Sequence, residues 1–209
     1  MEVHNLLLFA LASLSINLIP GPDVIYIVSN TMKGKMAGGM KAALGLGVGY
    51  FVHTLAATLG LSAIILNSAL VFSFVKWLGA IYLLYLGFTS LKSMWRGGST
   101  LTTKSDSVPQ TNIFKQGVVV SVLNPKVALF FLSFLPQFID TSKHSVNMQL
   151  LILGLCFSGL ATLCNIIYAI TGSWLLKSAK ANRYSRIIEG LSGILLIGLA
   201  GKIAFSEQK

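Results

Sequence analysis

The sequence predicts an all-α integral membrane protein of six transmembrane helices, on three observations. Of its 209 residues, 54% are hydrophobic and only 11% charged, against roughly 25% charged in an ordinary soluble domain, so there are too few charges to coat a water-facing surface. Apolar runs of about 20 residues, the length that crosses a bilayer, fill most of the chain. Short basic or Gly/Ser-rich loops separate them.

In chain order the spans are expected at Leu6–Val28, Ala37–Leu66, Ala69–Leu91, Ile113–Phe138, Met148–Ser173 and Ser185–Phe205. Each must be regular helix, because backbone donors and acceptors in hydrocarbon need internal partners and no segment alternates as barrel strands do. The first connection carries Lys33, Lys35 and Lys41, the third Lys92, Arg96, Lys104 and Lys115, and the fifth Lys177, Lys180, Arg183 and Arg186. Asn67–Ser68 is uncharged and Asp140 offsets Lys143. Since Lys and Arg are retained on the cytoplasmic side, both termini are expected outside. Trp77, Trp95 and Trp174 fall near span ends, as aromatic belts require. Lys76, Glu189 and Lys202 also lie near span ends, within reach of the headgroups.

The chain is expected to form one transporter-like domain (1–209). Its stretch of soluble composition, 93–112, with Gly97, Gly98 and Pro109, is expected to be a cytoplasmic linker between half one (1–92) and half two (113–209). Three spans per half make the halves enter the membrane in opposite senses, the condition for two inverted three-helix repeats.

A net charge of +10 would in a soluble protein raise nucleic acid as a partner. Here the charges sit between apolar segments, where they set topology and meet anionic lipid, so no nucleic acid is expected. The first residues carry Glu2 and no Lys or Arg, unlike a cleavable signal peptide. Cys156 and Cys164 lie on one expected helix more than two turns apart, with no CxxC, which suits buried small hydrophobes. No metal set, no cofactor motif, no GxxxxGK[ST] and no Ser/His, HExxH or paired-carboxylate arrangement is present. An enzyme is not expected, and any work must draw on a gradient or a partner chain.

The first span of each half contains prolines beside a charge: Ile19-Pro20-Gly21-Pro22-Asp23 and Leu123-Asn124-Pro125-Lys126. Proline removes a donor and clashes one turn back, so the first helix of each half should break there. Interrupted helices at matching positions of inverted halves mark the binding site of secondary transporters. Their free amides suit a carboxylate and their free carbonyls an ammonium. Asp23 and Lys126 carry opposite charges in apolar runs, where an unpaired charge costs about 2.5–3.5 kcal/mol. They can pair when the site is empty and separate to take a zwitterion, or Asp23 can carry a coupling proton. Alternatively Asp23 lies near the interface and Lys126 snorkels.

These two motifs, with the glycine-rich Gly45-Leu46-Gly47-Val48-Gly49-Tyr50 and the aromatic run after Asn124-Pro125-Lys126-Val127-Ala128, resemble the LysE/RhtB family of amino-acid exporters along the whole chain. The resemblance implies export of amino acids or close derivatives such as homoserine, threonine, leucine or homoserine lactone. The implied location is the bacterial cytoplasmic (inner) membrane, and the implied drive is the membrane potential or a proton gradient. Substrate binding then falls to Asn17, Pro20, Gly21, Pro22, Asp23, Asn124, Pro125 and Lys126. A channel is separated from this reading only by saturable, coupled flux. A membrane redox carrier would need a cysteine at each break, where this chain has Gly21 and Asn124.

Three further features carry two readings each. His53, near Gly45, Gly49 and Gly60, is either packed and neutral or part of a proton relay. Ser158, Thr162 and Asn165 share a face of the fifth span, as interhelical hydrogen bonds or as the lining of a path beside Tyr168. Small-residue faces on spans two and six permit a homodimer and equally permit packing within one bundle.

Overall fold

The computed structural model describes residues 3–19, 21–61, 63, 69–96, 112–140, 145–175, 186–187, 190–191, 193–198 and 200–201. Among them the chain is all-helical, with no strand. Helix α1 is Val3–Leu18, α2 Pro22–Ala56, α3 Ala69–Arg96, α4 Ile113–Val122, α5 Pro125–Leu129 and α6 Val146–Leu175. Further helical positions lie between 186 and 201. Helix α3 runs on to Arg96, so residues 93–96, expected as the start of the linker, are helical, the apolar periodicity of the span carrying through them; residues 97–111 of the expected linker, together with Pro20, Lys143, Glu189 and Lys202, fall outside the described residues.

Among the described residues two helices are long and apolar enough to cross a membrane, Pro22–Leu61 and Val146–Gly172. The pair Ile113–Val122 and Pro125–Phe138, bent by 44°, forms a third candidate, and Leu6–Leu18 is a shorter apolar helix. A straight helix of 40 residues would be about 60 Å long, twice the hydrocarbon thickness. It is not straight: Gly34 and Lys35 leave helical geometry, Lys35 at φ 55°. A Cβ on Gly38 would meet the Asn30 carbonyl and one on Gly39 the Thr31 hydroxyl. Those pairs would be about 12 Å apart in a continuous helix, so the chain reverses at Gly34–Lys35. The first basic connection is therefore only this turn.

Both expected breaks occur, and proline explains where helix resumes. Pro22 and Pro125 each sit in the first turn of the new helix, where a missing N–H costs nothing and the fixed φ is helical. After α5 the chain continues as a π-helix over Phe130–Phe134 and a 3₁₀-helix over Leu135–Phe138, where continuous α-helix was expected. Pro136 accounts for the change, since it cannot donate to the carbonyl a turn earlier and its ring crowds that carbonyl. A π-turn also closes α2 at Ala57–Leu61; no proline explains it.

The centre of the bundle is α2, packed between α4 and α6. At the α2–α4 crossing the backbones touch. A Cβ on Gly117 would lie 2.9 Å from the Ala42 carbonyl and 3.2 Å from Gly45 Cα. On the α6 side, a Cβ on Gly47 would lie 2.8 Å from Thr162 Oγ1, and Thr54 and Ser158 share a 3.1 Å hydrogen bond. The polar face expected on the fifth span thus turns toward α2. Gly60, grouped in the sequence with Gly45 and Gly49, has nothing within 4 Å of its Cβ position. On the flank, Gly87 of α3 crosses Gly193, each facing the other's carbonyl. Ser15, Thr31, Thr54, Thr58 and Thr171 each donate to the carbonyl four residues back, which satisfies hydroxyls in an apolar setting.

Gly117→Val should press side-chain atoms into the α2 backbone and lower stability in detergent by about 1–3 kcal/mol, the usual cost of overpacking. Gly60→Ala, with open space, should leave the melting temperature unchanged.

Candidate functional site

The two breaks meet inside the bundle. Asp23 is fully buried and Lys126 is 4% exposed. The Lys126 ammonium donates to Asp23 Oδ1 at 3.0 Å, to Asp23 Oδ2 at 3.1 Å and to the Ile19 carbonyl at 3.2 Å. All three of its donors are therefore used. Neither charge reaches outward as the interfacial reading required.

Local structure explains the arrangement. Asp23 occupies the first turn of α2, where the helix dipole favours an anion. Lys126 occupies the first turn of α5, where the dipole disfavours a cation. The neighbouring end of α1 offsets this, because Ile19 offers one of the carbonyls that a helix terminus leaves unpaired. Tyr168 donates to another, Leu18 O, at 3.2 Å. At the second break Asn124 Oδ1 caps α5 by accepting from the Lys126 amide at 3.0 Å. Ser121 O accepts both the Asn124 amide at 3.1 Å and His53 Nε2 at 3.1 Å.

Gly21 gives the pair its room. A Cβ there would lie 2.8 Å from Asp23 Oδ1 and 3.0 Å from Lys126 Nζ. Its backbone is extended at φ −139°, so glycine is required by space and not by conformation.

A second shell extends from Asp23 into α2 and α6. Tyr50, fully buried, places its hydroxyl 3.5 Å from Asp23 Oδ2 and accepts from Asn165 Nδ2 at 2.9 Å. Among the described residues four buried side-chain polar atoms have no partner: Ser13 Oγ, Ser121 Oγ, Asn124 Nδ2 and Asn165 Oδ1. The two amide orientations are fixed chemically. Asn124 must turn oxygen toward an N–H, and Tyr50, if it donates to a carboxylate, must receive from nitrogen. A donor is left over next to Lys126 and an acceptor next to Tyr50. Beside them lies an aromatic wall, with Phe157 edge-on to Tyr50 at 5.8 Å and stacked on Phe130 at 4.5 Å.

Of the residues singled out in the sequence, Gly21, Pro22, Asp23, Asn124, Pro125 and Lys126 converge here, and Asn165 joins through Tyr50. Asn17 is buried but donates within its own helix, to Ser13 O at 2.7 Å. His53 is not on the pair; it bonds Ser121 O and stacks on Phe131 at 5.6 Å. Tyr50 was missed as a site residue. The available signal was a phenol within an apolar span, whose hydroxyl needs a partner once buried. Among the described residues no group of three His, Cys, Asp or Glu could hold a metal.

The chain is 30% identical over 212 residues to the uncharacterized membrane protein YrhP of Bacillus subtilis, covering 98% of this chain and all of that one. It is 31% identical over 216 residues to the leucine efflux proteins of Salmonella typhimurium and Salmonella typhi, covering 97% of this chain and 95% of theirs. No solved structure matches. The LysE type translocator family matches residues 14–207, nearly the whole chain, and the chain belongs to that family of transporters.

Proposed function

We propose that this translocator exports free amino acids across a bacterial cytoplasmic membrane, and that the Asp23–Lys126 pair is the empty form of its cargo site. The observation that carries the reading is the pair itself, two opposite charges buried where two broken helices meet. An α-amino acid carries the same two charges. Its ammonium can take the place of Lys126 against Asp23, and its carboxylate the place of Asp23 against Lys126. The leftover atoms support this exchange, with Asn124 Nδ2 free to donate to a carboxylate and Asn165 Oδ1 free to accept from an ammonium.

Cargo of the leucine type fits best. The aromatic wall beside Tyr50 offers an apolar surface for an aliphatic side chain, and relatives 31% identical are named leucine efflux proteins. Protons are the proposed coupling ion, carried by Asp23, the carboxylate in the pair. Neutralising it would release Lys126 and loosen the junction between the halves.

Six spans in two inverted repeats, with both termini outside, complete the proposal. Support comes from matched positions. Lys126 lies 103 residues after Asp23, as Pro125 does after Pro22 and Ser121 after Leu18. Asn165 lies 115 residues after Tyr50, as Tyr168 does after His53. Of the twelve extra residues in half two, five lie between the helices, residues 139–145 against the turn at 34–35, and the other seven lie within the helical stretches on either side.

Vesicles reconstituted with the protein and loaded with labelled leucine should lose it faster than equally loaded vesicles without the protein, saturably, and a protonophore should abolish the effect of an imposed pH gradient. Equal loss from both, for leucine and for the other neutral amino acids, would contradict the exporter. Asp23→Asn should lower efflux at least about tenfold and also lower stability by about 3–5 kcal/mol, since it leaves Lys126 buried and unpaired. Adding Lys126→Gln to Asp23→Asn should recover most of that stability without recovering efflux. A doubly neutral protein that still exports would remove the charges from the mechanism. Tyr50→Phe should keep the fold and raise the KM for leucine by about three- to tenfold, the effect of one hydrogen bond.

A further inference from the structure

We propose that His53 and Tyr168 are a matched pair of positioning residues, each tying the second span of one half to the end of the other half's broken helix. The inference rests on the reading of the chain as two inverted halves around a cargo site. Tyr168 on α6 donates to Leu18 O at the end of α1. His53 on α2 meets Ser121 O at the end of α4, at 3.1 Å. A carbonyl only accepts, so His53 carries its proton on Nε2.

The two bonds are equivalent by position. Leu18 and Ser121 stand in the same relation as Asp23 and Lys126, and His53 and Tyr168 in the same relation as Tyr50 and Asn165. Sequence alone hides this, since an imidazole and a phenol share no identity. What they share is a ring that carries a donor across a helix crossing to a terminal carbonyl.

Each bond sits where it sets the geometry of the site. Leu18 immediately precedes Ile19, whose carbonyl holds Lys126. Ser121 precedes Asn124, whose side chain caps the helix that carries Lys126. Releasing Tyr168 frees the end of α1 from α6. Releasing His53 frees the end of α4 from α2. In inverted halves those two arms lie on opposite sides of the site, so each bond closes one path. His53 thereby acts through Ser121 on the second break, in contrast to a relay that would touch Asp23.

Ser13 on α1 and Ser121 on α4 report on the two arms. Both are fully buried, so Ser13→Cys and Ser121→Cys, each alone in a background lacking Cys156 and Cys164, report the opening of their arm, and each single-cysteine protein serves as the parent against which the variants below are compared. Maleimide labelling rates in reconstituted vesicles are then measured. Tyr168→Phe should raise labelling at position 13 relative to position 121 by about threefold or more, and His53→Leu should do the reverse. His53→Gln, which keeps a donor at similar reach, should behave as the parent. Shifts in the same direction, no shift, or a His53→Gln variant resembling His53→Leu would overturn the assignment. If His53→Leu fails to fold, Tyr168→Phe and His53→Gln decide. Leucine efflux is followed in parallel: its absence in the parent would count against the exporter, while the labelling pattern still tests the two bonds.

Discussion

Breaking a helix inside an apolar bundle leaves carbonyls and amides that water cannot reach, and the polar residues gathered at the two breaks answer that constraint. The end of α1 is met by Lys126 and Tyr168, and the end of α4 by His53 and the Asn124 amide. The start of α5 is capped by Asn124. Lys126 could not occupy the first turn of α5 without Asp23 and the Ile19 carbonyl to oppose the dipole there. The charge pair and the two breaks therefore hold each other in place.

A site built this way suits transport. A buried ion pair contributes little net stability, because desolvation offsets most of the attraction, yet losing one partner is expensive. A ligand that supplies both charges can replace the pair without leaving either side chain bare. Gly21 lets the pair pack against its backbone, and Gly45 and Gly117 bring α2 and α4 into backbone contact.

Much of this was legible in the sequence. Pro22 and Pro125 located the breaks, because proline acts through the local backbone. Asp23 and Lys126 stood out because a charge in a long apolar run needs a partner. Tyr50 and the bond from His53 to Ser121 were not legible, since both depend on the register in which α2 packs against α4 and α6. Gly60 illustrates the same limit: it shares the spacing of Gly45 and Gly49 but faces open space. The π- and 3₁₀-turns after α5 were foreshadowed by Pro136, whose effect was hidden by the strongly apolar run around it.

The central claim is that cargo separates Asp23 from Lys126. It is tested most directly by the ¹⁵N resonance of the Lys126 ammonium in lysine-labelled protein, assigned through Lys126→Gln and followed as leucine is added. The account predicts that saturating leucine moves this resonance away from its cargo-free position, and that Asp23→Asn abolishes the response. A resonance unchanged under conditions in which leucine is demonstrably exported would place the cargo elsewhere and leave the pair as a purely structural bond.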